Sequence, residues 1–111
     1  VIRAMFEQNG YLIDTHTAVA FSALEQYRAE TGDDTPAIVA STASPFKFCS
    51  SVLEALGETR IAEGLDALDQ LTGKTGQPAP APLAGLRDKK VRFTQVVEKD
   101  RMADAVRSLL E

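Results

Sequence analysis

Apolar residues recur with a helical period at both ends of the chain. Ile2, Met5 and Phe6 fall at i, i+3 and i+4 and predict a helix over residues 1–8, stopped by Asn9-Gly10. Tyr11-Leu12-Ile13 reads as a short extended connection, followed by Asp14 and Thr15, both N-cap types. A second helix then runs to about Glu30, with Val19, Ala20, Ala23, Leu24 and Tyr27 on one face. Gly32 ends it, and Asp33-Asp34-Thr35-Pro36 is turn chemistry. Residues 37–41 are apolar without alternation, the pattern of a strand buried on both faces. A helix from Ser50 or Ser51 to Leu56 follows, with capping-box spacing at Ser51-Val52-Leu53-Glu54. Residues 59–71 predict another, striped by Ile61, Leu65, Leu68 and Leu71, in which Gly64 costs about 1 kcal/mol relative to alanine. The prolines and glycines of 73–82 open a mainly irregular loop over 73–90. Lys89-Lys90 lead into a second strand over 91–97. Met102, Ala105, Val106, Leu109 and Leu110 make the clearest helical stripe of the chain, with Asp100 near its start, where the helix dipole favours an anion.

Two strands separated by helices point to an α/β fold with a right-handed parallel crossover. Two strands alone leave sheet faces and edges uncovered, so further strands are expected elsewhere in a longer chain. The start at Val1, already inside a helical pattern, supports the same expectation: an excised piece, read as a single unit over 1–111. Its uncovered edges favour a non-native dimer of the piece.

Composition narrows the function classes. A net charge of −4 argues against nucleic acid as the default partner, because phosphate neutralisation needs a basic face. No apolar run approaches the roughly 20 residues that span a bilayer. One cysteine, Cys49, excludes an internal disulfide framework and suits a reducing, cytoplasmic setting. With a single histidine beside it, no usual zinc site can be built, and no metal is expected.

The segment of most chemical interest is Ala40-Ser-Thr-Ala-Ser-Pro-Phe-Lys-Phe48, where an apolar run ends in hydroxyls and gives way to a helical pattern. In α/β proteins ligands sit at the carboxyl ends of strands. Ser44 before Pro45 has the form of a helix cap with proline at the first helical position. Thr42 can cap or can donate to a buried ring nitrogen. Lys47 stands between Phe46 and Phe48 near a helix start, an arrangement that a shared anion such as phosphate would ease. His16, at the first turn of its helix, is either a surface histidine or a neutral imidazole that positions a substrate. Gly73-Lys74-Thr75 is no phosphate loop, because Leu68 stands where the leading glycine belongs.

Two of these segments together resemble the threonine synthase family. Gly10-Tyr-Leu-Ile-Asp-Thr-His-Thr-Ala-Val-Ala20 is similar to its Asp-Pro-His-Thr-Ala-Val segment, with Thr15 in place of the usual proline. Ser41-Thr-Ala-Ser-Pro-Phe-Lys-Phe48 is similar to its Thr-Ala-(Ser/His)-Pro-x-Lys-Phe motif, and residues 91–111 resemble the end of those chains. The resemblance implies the C-terminal part of a three-layer αβα, fold type II pyridoxal-phosphate enzyme, with about two parallel strands flanked by helices here. It implies a lyase that converts O-phospho-L-homoserine and water to L-threonine and phosphate, the last step of threonine biosynthesis.

Position by position, the resemblance implies that Thr42 meets the pyridine nitrogen of pyridoxal phosphate. It implies that His16 and Lys47 face the substrate, with Lys47 on a phosphate. No segment resembles the family's Schiff-base lysine region or its glycine-rich phosphate cradle, so no catalytic residue is expected among these 111 residues. The piece alone is then expected to be inactive, its main partner being the rest of the same polypeptide. The alternative is an independent α/β ligand-binding or interaction module without catalysis.

Overall fold

The structure, a computed structural model, describes residues 1–110. Helix α1 spans Ile2–Asn9 and ends at Gly10, whose N–H closes on the Phe6 carbonyl at 2.9 Å. Helix α2 spans Thr15–Thr31, from the Asp14 cap to Gly32. A 3₁₀ turn, Pro45–Phe48, leads into α3, Cys49–Ala55. Ser44 caps that turn, its hydroxyl accepting from the Phe46 N–H at 3.3 Å, as the Ser-Pro pair predicts. Helix α4 spans Asp66–Thr75, α5 spans Ala81–Ala84 with a 3₁₀ turn Gly85–Asp88 behind it, and α6 spans Met102–Ser108.

The expected α/β arrangement with two parallel strands is overturned: the described residues contain helices and no strand or sheet. Residues 37–41 and 91–97 are not helical, and neither joins a ladder. Ile38 is 100% exposed and Val96 93% exposed, the opposite of strands buried on both faces. The physical reason is that a strand exists only through its neighbour. Apolar, β-branched residues favour pairing but do not supply a partner.

The core lies where α1, α3 and α4 meet. Ile2, Leu12, Ile13, Phe46, Val52 and Leu53 pack with Leu56, Ala67, Leu68 and Leu71 in one cluster. The sole cysteine, Cys49, is buried in the same cluster, its thiol donating to the Phe46 carbonyl at 3.1 Å. Burial pushes that thiol above its ordinary pKa, because the thiolate would lose its hydration.

Helix α2 meets this core differently from its sequence pattern. Val19 is 69% exposed and Tyr27 50% exposed, so the apolar stripe through those residues faces solvent. The face that packs holds Thr17, buried, with Ala18 and Phe21 against the core. Polar anchors rather than apolar area therefore set how α2 docks.

The helix expected over 59–71 begins only at Asp66. Gly64 takes a left-handed φ of 56°, which breaks a right-handed helix at that point. Gln70 stitches down the irregular stretch before it, accepting from the Ala62 N–H at 2.8 Å and donating to the Arg60 carbonyl at 2.7 Å. Arg87 clasps the first turn of α4, reaching Asp66 at 3.0 Å, Asp69 at 2.7 Å and the Leu65 carbonyl at 2.8 Å. Those exposed ion pairs contribute about 0–1 kcal/mol each. Gly73-Lys74-Thr75 finishes α4, with Lys74 paired to Glu58 at 2.7 Å. Across the stretch expected as a loop, irregular chain is thus confined to 76–80 and 89–90. The capping-box residue Ser51 lies within α3 rather than before it.

The radius of gyration is 18.8 Å, against about 13 Å for a compact chain of this length. The excess comes with the exposed segments around Ile38 and beyond residue 90, where Phe93 and Leu110 are also largely solvent-exposed.

One buried charge ties these parts together. Asp14 is fully buried, and its carboxylate caps α2 by accepting from the backbone N–H groups of His16 at 2.8 Å and Thr17 at 3.4 Å. It also accepts from the Thr17 hydroxyl. Burial raises its pKa, but the hydrogen bonds from Thr17 and His16 outweigh burial and hold the carboxyl below its ordinary value of 3.8. A depressed folded-state value means stability that is present above the unfolded pKa and lost as pH falls through the folded one. The urea midpoint is therefore expected to fall below about pH 3.8, with a shallower acid limb in Asp14→Asn. Identical acid limbs would contradict this coupling. In the core, Leu71→Ala is expected to lose about 2–5 kcal/mol by urea unfolding; a loss below about 0.5 kcal/mol would contradict its full burial.

Candidate functional site

The two motif segments meet. Thr17, three residues after the Asp14 cap, lies 3.1 Å through its hydroxyl from the hydroxyl of Ser41. A hydroxyl has one proton, and an ionised carboxylate can only accept. The Thr17 O–H therefore goes to Asp14, and Ser41 donates to Thr17 oxygen. The outcome is a relay, Ser41 to Thr17 to Asp14, that joins the start of α2 to the hydroxyl-rich segment before the 3₁₀ turn. A second contact closes the same junction: the His16 ring lies on Phe48 with centroids 4.9 Å apart and planes inclined at 55°.

His16 occupies the first turn of α2 and is exposed. Its Nδ1 is 3.3 Å from Asp14 Oδ1 and 3.5 Å from the Thr15 hydroxyl. Thr42 follows Ser41 directly and is exposed, in irregular chain. Lys47 is the third residue of the 3₁₀ turn and is exposed, whereas Phe46 turns into the core and Phe48 is half-buried. Its aromatic neighbours are thus explained by core packing, and the lysine itself stays in solvent. Lys47 lines a cavity of about 340 Å³, with Phe48, Ser50, Ser51, Leu68 and Leu83. Neither His16 nor Thr42 lines that cavity; Phe48 is the residue common to it and to the His16 contact.

The structure therefore brings His16 to the segment that carries Thr42 and Lys47. Reading the sequence missed Asp14 as a buried anchor, Ser41 as its remote donor, and Phe48 as the surface under His16. The signal available was the Asp-x-x-Thr spacing at the start of α2, which places a cap and a hydroxyl one turn apart. Among the described residues, no three His, Cys, Asp or Glu side chains gather as a metal site, and no helix is long and apolar enough to cross a membrane.

Toward the pyridoxal phosphate that the resemblance implies, the exposed neutral hydroxyl of Thr42 has the chemistry of a donor to a pyridine nitrogen, whereas the exposed ammonium of Lys47 has the chemistry expected of it toward a substrate phosphate. The cofactor's covalent anchor and glycine-rich cradle have no match among these residues.

Comparison with known proteins agrees with the family resemblance. Residues 17–109 match a family model described as threonine synthase, C-terminal. The matched span includes Thr42 and Lys47 and begins directly after His16. The chain is 41% identical over 73 residues to the threonine synthase of Methylobacillus glycogenes, an alignment that covers 62% of this chain and 15% of that protein. The chain therefore spans only a small part of the length of that relative. No solved structure matches it. With well over half of its residues matched, the chain belongs to the threonine synthase C-terminal family.

Proposed function

We propose that this chain forms one wall of the active site of a threonine synthase, a pyridoxal-phosphate lyase that converts O-phospho-L-homoserine and water to L-threonine and phosphate. The observation that carries this reading is the junction of the two motif segments, through the Ser41–Thr17 hydroxyl contact at 3.1 Å and the His16–Phe48 contact at 4.9 Å. Segments 24 residues apart in sequence supply one polar surface there.

When bound, the cofactor supplies the electron sink for proton loss at the α and β carbons of the substrate. The residues of this chain hold and orient. Thr42 would hold the cofactor's ring nitrogen through its hydroxyl, a neutral donor that would leave that nitrogen largely unprotonated. The Lys47 ammonium meets the phosphate of the substrate or the released product as a mobile point charge. His16 contacts the substrate from the start of α2. The rest of the same polypeptide provides the Schiff-base lysine and the phosphate cradle, so these 111 residues by themselves are inactive.

In the full-length enzyme, Lys47→Ala is expected to lower kcat/KM for O-phospho-L-homoserine by about ten- to a hundredfold, the range for losing one charged hydrogen bond. Most of the loss should fall on KM. Unchanged affinity and turnover would remove Lys47 from the site.

A further inference from the structure

The Asp14–His16 contact does more than cap a helix. Asp14 is wholly buried and accepts along both oxygens, from the two backbone N–H groups and from the Thr17 hydroxyl. As an anion it has no proton to give. His16 Nδ1, 3.3 Å from Oδ1, is a favourable neighbour only when Nδ1 carries the proton. Turning the ring over would leave its seat on Phe48 unchanged but would set a carbon against the carboxylate, so the carboxylate favours Nδ1 on its side.

We propose that Asp14 is a positioning residue that holds neutral His16 in the Nδ1–H tautomer, so that its other ring nitrogen, Nε2, is presented as a hydrogen-bond acceptor. The free imidazole prefers the opposite tautomer, so the buried carboxylate reverses the default. His16 then recognises an N–H or O–H donor of the ligand and repels the oxygens of an anion. Two kinds of recognition are thereby separated within the two motifs: an acceptor at His16 for an N–H or O–H donor and a cation at Lys47 for the phosphate. The ligand assignment rests on the reading of this surface as a substrate site, whereas the tautomer is a property of this chain alone.

His16 is the sole histidine, so one ring system appears in the spectrum of the ¹⁵N-labelled chain. Long-range ¹H–¹⁵N correlation at a pH where the ring is neutral is expected to give a pyrrole-like Nδ1 and a pyridine-like Nε2. A pyrrole-like Nε2 in the native chain overturns the proposal. Asp14→Ser keeps a good cap but is too short to reach the ring, and its signals are expected to shift toward the Nε2–H form. An unchanged pattern in that variant, with the Thr17 amide still protected from exchange, shows that Asp14 does not set the tautomer and overturns its role. If the Ser variant loses the start of α2, Asp14→Asn is read instead: a neutral partner of the same size should raise the Nε2–H population, and no rise overturns the proposal. In the full-length enzyme, Asp14→Ser should lower kcat/KM about tenfold. A changed tautomer with unchanged kcat/KM removes His16 from substrate recognition and leaves the tautomer assignment standing, so the two failures are told apart.

Discussion

The buried carboxylate of Asp14 is the constraint on which the rest depends. A charge removed from water must be met by donors on every side, or its burial costs several kcal/mol. Here each donor belongs to a different structural decision. The His16 and Thr17 amides set where α2 starts, the Thr17 hydroxyl carries the link to Ser41, and the imidazole sets what α2 presents to solvent. Among the described residues no buried side-chain polar atom lacks a partner, so these decisions are satisfied together. Helix α2 buries little of its apolar stripe, which leaves this polar node as the main reason that a long helix stands where it does.

The helices that the sequence made legible are those whose limits are local. Gly10 and Gly32 stop α1 and α2 where the pattern changes, Asp14 starts α2, and Ser44-Pro45 opens the turn before α3. What could not be read were features decided by remote neighbours. The apolar run at 37–41 has the composition of a central strand, but pairing depends on a second segment that composition does not specify. Gly64 reads from sequence as a weak point inside a helix but lies just before α4, because Gln70 and Arg87 hold an irregular approach to that helix from positions well along the chain.

The same division holds for the candidate site. His16, Thr42 and Lys47 stand out in the sequence by their places at helix starts and beside hydroxyls and aromatics, and the family pattern of their flanking residues is what attaches a role to each. Geometry changes their standing unequally. His16 gains a fixed environment from Asp14 and Phe48. Lys47 loses its aromatic argument, since Phe46 belongs to the core, and keeps a place at a cavity. Thr42 takes its relevance from Ser41, the adjacent residue that the hydroxyl relay secures.

Cys49 gives the core an internal clock. Its thiol is buried, donates to the Phe46 carbonyl, and is pushed by burial toward the neutral form, so alkylation of the closed molecule is slowed. Phe46 and Phe48 belong to the turn directly before it, and Cys49 borders the cavity that this turn shares with Ala67 and Leu68 of α4, so modification speeds up as turn and helix part. The rate of labelling at this one sulfur therefore counts how often the floor beneath the motif segment opens, without any probe having to be added to the chain.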